Sequence, residues 1–346
     1  MKALIAGAGG IIGEGVHRAL EAHGADAKGL GRRAIEGMET VTADLTDPEA
    51  TRRAIRDNAA ETTHLFYAAL APDADLATEA ERNGRMLDNL LDALEQAGAP
   101  LERVVIYQGF KIYGIHLGAK VPTPARESDP VHMPPNLYQS QEAMLAKRAE
   151  TASWDYVALR PDVIINGRIH GNPMNIAAAI GAFATLSREL GVPLRFPGSE
   201  AAYRVLMQGT DADLLGEASV WAANAEGVSG EAFNVTNGDV FRWERLWQEI
   251  ADYFELPMAS PVPLTLTRHM ADKQAVWERI AEREGLQEQQ LDRVVQWGFA
   301  DFIFNTETDV ISDVNKIYRY GFTPRMDTRA SLFKALDALK ASKILP

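Results

Sequence analysis

The chain has 346 residues, 46% of them hydrophobic, a formal net charge of −13 and 0 cysteines. That length suits one large α/β domain with an appended lobe, or two domains, and the acidic balance argues against nucleic acid or an anionic membrane as the main partner. Without cysteine there is neither a disulfide framework nor a thiolate metal site, and the histidines at 17, 23, 64, 116, 132, 170 and 269 lack ligand spacing, so no metal is expected.

The first thirteen residues, MKALIAGAGGIIG, set a short apolar run (2–6) directly before a glycine-rich turn, which predicts a buried first strand. Gly7, Gly10 and Gly13 fall in a G-x-x-G-x-x-G pattern. The following residues carry a helical apolar face of Val16, Ala19 and Leu20, with Gly24 as a C-cap. A strand, a glycine turn and a helix N-terminus in that order suit a pyrophosphate, because backbone N–H groups and the positive end of the helix dipole face it. A core strand this early leaves no secretory signal and no run reaches membrane-spanning length, so a cytoplasmic soluble protein is expected. The glycine spacing resembles that of the extended and atypical short-chain dehydrogenases/reductases rather than the usual G-x-G-x-x-G.

A second strand (25–31) ends in Arg32 and Arg33, the latter twenty positions beyond Gly13. An acidic residue at this point would bind the ribose 2′-OH of NAD, whereas arginine accommodates a 2′-phosphate, which favours NADPH. Residues 38–44 read as a third strand, and Asp44-Leu45 at its end resembles the adenine contact of these dehydrogenases. Asp44 is equally placed to cap the helix at 48–58. A fourth strand (63–71) has small residues, Ala68 and Ala69, that leave room for the cofactor. A helix at 83–97 carries an apolar stripe of Met86, Leu87, Leu90, Leu91 and Leu94. This strand and helix alternation predicts a doubly wound parallel sheet.

The fifth strand (103–108) leads into QGFKIYG, residues 108–114. Extended dehydrogenases resemble S-S-x-x-V-Y-G here and then carry an active Tyr-x-x-x-Lys. In this chain Gln108 and Gly109 stand where the hydroxyls belong. The best tyrosine, Tyr138 in PPNLYQSQE, is followed four residues later by Glu142, while a lysine, Lys111, stands in the preceding loop.

That arrangement resembles the progesterone 5β-reductase and iridoid synthase-like family of atypical short-chain dehydrogenases/reductases. Its pattern places a lysine in T-G-x-K-H-Y and a tyrosine in N-F-Y-Y-x-x-E-D; here Q-G-F-K-I-Y holds Lys111 and N-L-Y-Q-S-Q-E-A holds Tyr138. The likeness continues through GRR (31–33), RPDVIING (160–167), LRFPG (194–198), TDADL (210–214) and AFNVTNGDVFRW (232–243). Leu137, Gln139, Ala143 and Ile112 depart from it.

The resemblance implies a Rossmann doubly wound parallel sheet of the extended type, at 1–165 with 206–239 returning to it, and a smaller, mostly helical substrate lobe at 166–205 and 240–346. It implies an NADPH-dependent 1,4-reductase of small apolar enones or enals, with Tyr138 and Lys111 catalytic. The implied cofactor positions are Gly7, Gly10, Ile11, Ile12, Gly13, Arg32, Arg33, Asp44, Leu45, Ala68, Ala69, Gln108, Tyr138 and Ile164, the last where the backbone after the sixth strand faces the nicotinamide. The pair is chemically sensible, since a phenol aimed at the carbonyl oxygen stabilises the enolate left by hydride addition, and an ammonium nearby favours the tyrosinate and can hold the ribose. A carbonyl reductase, a nucleotide-sugar epimerase or dehydratase, and a non-catalytic NADP(H)-binding protein are the other readings. A second copy of the chain, in a homodimer, is the candidate protein partner.

A sixth strand (154–165) contains Arg160-Pro161, after which the alternation gives way to HGNPMN and an apolar helix at 174–186, while 231–236 returns a strand to the main sheet. Met174, Tyr203, Met207, Trp297 and Phe302 are candidates for an apolar pocket wall, or else core residues at helical spacing. Residues 268–301 interleave Trp277, Ile280, Leu286, Leu291, Val294 and Trp297 with charges and predict amphipathic helices covering the pocket.

Overall fold

The structure, a computed structural model, describes residues 1–168 and 173–346. Seven parallel strands form the main sheet: β1 (Lys2–Ala6), β2 (Asp26–Gly31), β3 (Thr40–Thr42), β4 (His64–Tyr67), β5 (Arg103–Tyr107), β6 (Asp155–Pro161) and β7 (Glu231–Val235). Their order is β7-β6-β5-β4-β1-β2-β3. The central strands are apolar on both faces, as a sheet flanked by helices requires; in β1 every residue after Lys2 is buried. β1 pairs with β2 from Lys2↔Asp26 and with β4 from Ala3↔His64, so the order reverses beside β1, where an open α/β sheet places its ligand crevice.

Five helices pack with the sheet: α1 (Ile11–Ala22), α2 (Pro48–Asn58), α3 (Leu76–Gln96), α4 (Leu137–Ala149) and α5 (Ala212–Asn224). Val16, Ala19 and Leu20 of α1 and the five-residue stripe of α3 are buried as expected. α3 begins earlier than its apolar stripe predicts, because the Asp75 carboxylate caps it, accepting from the Thr78 N–H at 2.7 Å, and its first turns are polar and face water. The cap of α2 is Asp47, which accepts from the Glu49 and Ala50 N–H groups, with Pro48 at the first position. Asp44 instead accepts from the Thr46 N–H (2.9 Å) and hydroxyl (2.7 Å), closing the turn after β3.

The chain divides into two compact units, one of Met1–Asp162, Ala212–Thr236 and Ser312–Pro324, the other of Val163–Asp211, Asn237–Ile311 and Arg325–Pro346. The stretch read as one strand at 154–165 is therefore two elements. β6 ends at Pro161, which has no N–H to continue a ladder, and Val163–Ile165 pairs in parallel with Gly209–Asp211 in the second unit. Ser312–Pro324 belongs to the first unit, where the Lys316 ammonium donates to Glu231 Oε2 (2.6 Å) and the Ala232 carbonyl (2.8 Å) on β7. The second unit is built on Ile176–Glu189, buried along nearly its whole length, and on an aromatic cluster in which Phe196 lies 5.2 Å from Trp247 and Trp243 lies 5.3 Å from Phe304. Among the described residues no helix is long and apolar enough to cross a membrane, and no group of three or more His, Asp or Glu is placed to hold a metal.

Candidate active site

The glycine turn closes tightly on the end of β4. Gly7 has φ +79°, and a Cβ there would lie 2.6 Å from the Ala68 carbonyl oxygen; a Cβ on Gly13 would lie 2.5 Å from the Gly7 oxygen and 2.6 Å from the Ala8 Cα. Only glycine permits these approaches, and they bring the α1 N-terminus up to the strand ends. Gly10 opens α1 without any side-chain cap, so Ile11, Ile12 and Gly13 form a first turn of backbone amides. Arg32 and Arg33 are exposed beyond β2, and Arg32 helps hold the Asp44 carboxylate below its ordinary pKa, after the hydrogen bonds from Thr46. Leu45 is buried, its carbonyl accepting from Asn89 of α3 at 2.8 Å. Half-buried Ala68 and Ala69 complete the rim. Turn, small residues and arginines together fit an anionic dinucleotide.

Lys111 and Tyr138 come from different loops that are stitched together. Lys111 lies in a short 3₁₀ turn, Phe110–Tyr113, and Tyr138 is the second residue of α4. Asn136 both caps α4, accepting from the Tyr138 N–H at 3.1 Å, and donates its side-chain amide to the Lys111 carbonyl at 3.0 Å. Gln139 donates to the Ile112 carbonyl at 3.2 Å. Lys111 keeps contact with solvent yet is hemmed in by protein, and this lowers its ammonium pKa while the Glu79 charge works the other way. Burial pushes the Tyr138 phenol up to about 12, and Glu79 pushes it the same way. The phenol is therefore protonated at neutral pH. Burial and the Glu79 charge work against the tyrosinate, which the sequence expectation has an ammonium favour.

Gln108 and Glu142, which stand at the places of the missing hydroxyl and lysine, bond to each other: Gln108 Nε2 donates to Glu142 Oε2 at 2.6 Å. Arg160 completes the group. Asn83 is a further site residue that sequence reasoning passed over. Fully buried in α3, it holds both the N–H and the carbonyl of Ala71 at 2.8 Å and so fixes the chain that follows Ala68 and Ala69. A lone asparagine inside a helix stripe gave no signal of this.

The remaining predicted positions lie in the second unit. Ile164 is half-buried on its short strand, opposite Thr210. Tyr203 is buried against Phe196 at 5.1 Å, and Met207 is buried with its sulfur accepting from the Trp243 Nε1–H at 3.1 Å, so both serve the aromatic core. Met174 and Phe302 are half-buried. His170 lies outside the described residues.

A parallel sheet with a glycine turn after its first strand, feeding a helix whose N-terminus has no side-chain cap, defines a Rossmann-type fold. Residues 33–346 match the PRISE-like Rossmann-fold domain. The chain is 32% identical to an (S)-8-oxocitronellyl enol synthase of Camptotheca acuminata, over 99% of this chain and 93% of the relative. It is 33% identical to a 3-oxo-Delta(4,5)-steroid 5-beta-reductase of Arabidopsis thaliana with the same coverages, 99% and 93%. The chain belongs to the PRISE-like Rossmann-fold family. In fold it is similar to the UDP-glucose 4-epimerase of Thermus thermophilus solved with NAD, at a TM-score of 0.68 and 18% identity over 99% of this chain and 100% of that one.

Proposed function

We propose that the protein is an NADPH-dependent reductase of activated C=C bonds in small apolar enones or enals. The observation that carries the reading is the interlocking of Lys111 and Tyr138 through Asn136 and Gln139, which ties an ammonium and a protonated phenol to adjoining turns after β5. The relatives' names agree in chemistry: one makes an enol, the other reduces a conjugated 3-oxo steroid.

NADPH, when bound, supplies the hydride. The amides of the α1 first turn would hold its pyrophosphate, and Arg32 and Arg33 its 2′-phosphate. Tyr138 donates a hydrogen bond to the substrate carbonyl oxygen, where charge gathers as the β-carbon is reduced. The Lys111 ammonium adds a positive field to the same oxygen and can hold the nicotinamide ribose. Neither side chain gives up a proton for the charge to be stabilised, so the enolate left by hydride addition takes its proton from water, at oxygen to leave the enol or at the α-carbon to leave the saturated carbonyl. The position four residues after Tyr138 is Glu142, engaged with Gln108 and Arg160, so the Tyr-x-x-x-Lys chemistry of an epimerase has no lysine at that place to use.

The test is to mix purified protein with NADPH and a panel of cyclohexenones, citral-like dialdehydes and steroid enones. Cofactor consumption with a saturated carbonyl product supports the reading. An allylic alcohol as sole product replaces it with a carbonyl reductase. Tyr138→Phe should abolish turnover while NADPH still binds.

A further inference from the structure

The residue four positions after Tyr138 is neither a catalytic leftover nor a spare surface charge. Glu142 Oε2 accepts from Gln108 Nε2 at 2.6 Å and from an Arg160 terminal nitrogen at 3.0 Å, while Gln108 Oε1 accepts from Arg160 Nε at 2.8 Å. Each of the three side chains thus bonds to the other two. The cationic donor and the anionic acceptor leave Gln108 only one orientation for its amide. Gln108 also donates to the backbone carbonyl of Tyr138 at 3.3 Å. On its other side Arg160 sits over the Tyr113 ring at 5.5 Å and reaches the Glu127 carbonyl at 3.3 Å, and the Tyr113 hydroxyl donates to Asn234 Oδ1 at 2.6 Å. Tyr113 closes the same 3₁₀ turn that carries Lys111.

From this closed group we infer that Gln108, Glu142 and Arg160 are the positioning residues of the site, one guanidinium orienting both the Tyr138 turn and the Lys111 turn. The inference rests on the reductase reading for the roles of those two side chains. Arg160 is only 7% exposed and cannot shed its proton, so it needs the Glu142 carboxylate as counter-charge. A lysine at 142 would set an ammonium beside that guanidinium and remove the acceptor that both donors share. The relocation of the lysine to position 111 and the acid at 142 are therefore one coupled change: the Tyr-x-x-x-Lys arrangement cannot be restored at 142 while Arg160 is present.

Glu142→Gln, Glu142→Lys and Glu142→Lys/Arg160→Met would be compared with wild type for kcat, for the KM of NADPH, and for amide exchange by mass spectrometry. Glu142→Gln keeps an acceptor for both donors but not the counter-charge of the buried guanidinium, and should lose roughly tenfold in kcat, between wild type and Glu142→Lys. Glu142→Lys should lose roughly 100-fold in kcat with the KM of NADPH unchanged, and the double variant should regain about tenfold or more. Exchange should quicken at 108–113 and 137–142 in Glu142→Lys and not at 10–16. Wild-type kcat in Glu142→Lys, a KM for NADPH rising in step with the loss, or a double variant no faster than the single one would overturn the inference. If wild type reduces none of the enones, the reductase reading falls, and the exchange pattern alone decides for or against the positioning group.

Discussion

Gly15 on α1 and Gly216 on α5 allow those helices to touch backbone to backbone, and Gly15→Ala tests how much that contact matters. A Cβ at Gly15 would run into the Ala212 carbonyl oxygen and lie 3.1 Å from its carbon; the Cβ of Gly216 would in turn meet the Gly15 oxygen. Alanine gains up to about 1 kcal/mol in helix propensity, but forcing a methyl into backbone that no rotamer change can clear costs about 1–3 kcal/mol. Because the methyl meets backbone rather than a movable side chain, the cost lies in the upper part of that range and overpacking wins, for a net loss of about 1–2 kcal/mol. Gly84, inside α3 with nothing within 4 Å of its Cβ position, is the control. There only propensity acts, and Gly84→Ala should stabilise by about 0.5–1 kcal/mol. Urea unfolding followed by tryptophan fluorescence gives both midpoints. If the turn before α1 holds the cofactor phosphates as proposed, Gly15→Ala should also weaken NADPH binding and Gly84→Ala should not. If Gly15→Ala raised the midpoint as Gly84→Ala does, the close packing of α1 on α5 would be refuted.

Three other outcomes are expected. If Arg32 and Arg33 hold the 2′-phosphate as proposed, replacing both by Ala should weaken NADPH far more than NADH, as measured by fluorescence titration of both cofactors, because only NADPH carries that phosphate; equal losses would make the arginines structural. Lys111→Met should lower kcat with the fold intact by circular dichroism, and adding Glu142→Lys should not restore it. Asn83→Ala should cost about 1 kcal/mol or more by taking from the half-buried N–H and carbonyl of Ala71 their side-chain partner, seen as a lower urea midpoint.

The parts of the fold legible in the sequence are those where burial writes a period. β1 is an apolar run cut off by Gly7, and the stripe from Met86 to Leu94 on α3 is buried throughout. The start of α3 escaped notice because its first turns are polar and only Asp75 marks it. The return of Ser312–Pro324 to the first unit was illegible because it depends on Lys316 reaching β7, 85 positions away in sequence. The site divides the same way. Lys111 and Tyr138 are singled out by a motif, and Gln108 and Glu142 by standing where other residues belong, but the bonding of those two to each other and to Arg160, across separations of 34, 18 and 52 positions, has no mark in the sequence.

A pH dependence of stability follows from His116, whose Nδ1 is buried without a hydrogen-bond partner. Burial lowers its pKa from 6.5 to about 4, and Lys111 and His132 push in the same direction. At neutral pH the imidazole is uncharged in both folded and unfolded chains and contributes nothing to the pH slope. Below about 6.5 the unfolded chain takes up a proton that the folded site refuses, so the unfolded state binds more protons and stability falls as the pH drops towards about 4. At roughly 1.4 kcal/mol per pKa unit, discounted because solvent reaches part of the ring and screens it, the loss across that window is about 2 kcal/mol. His64, buried in β4 and also lowered by burial, adds to the same limb. His116→Gln should flatten the fall in the urea midpoint between pH 6.5 and 4 without altering the midpoint at neutral pH by a comparable amount. An unchanged slope in that variant would show that His116 takes up its proton alike in the folded and unfolded chains, and would refute the effect assigned to its burial and to the Lys111 charge.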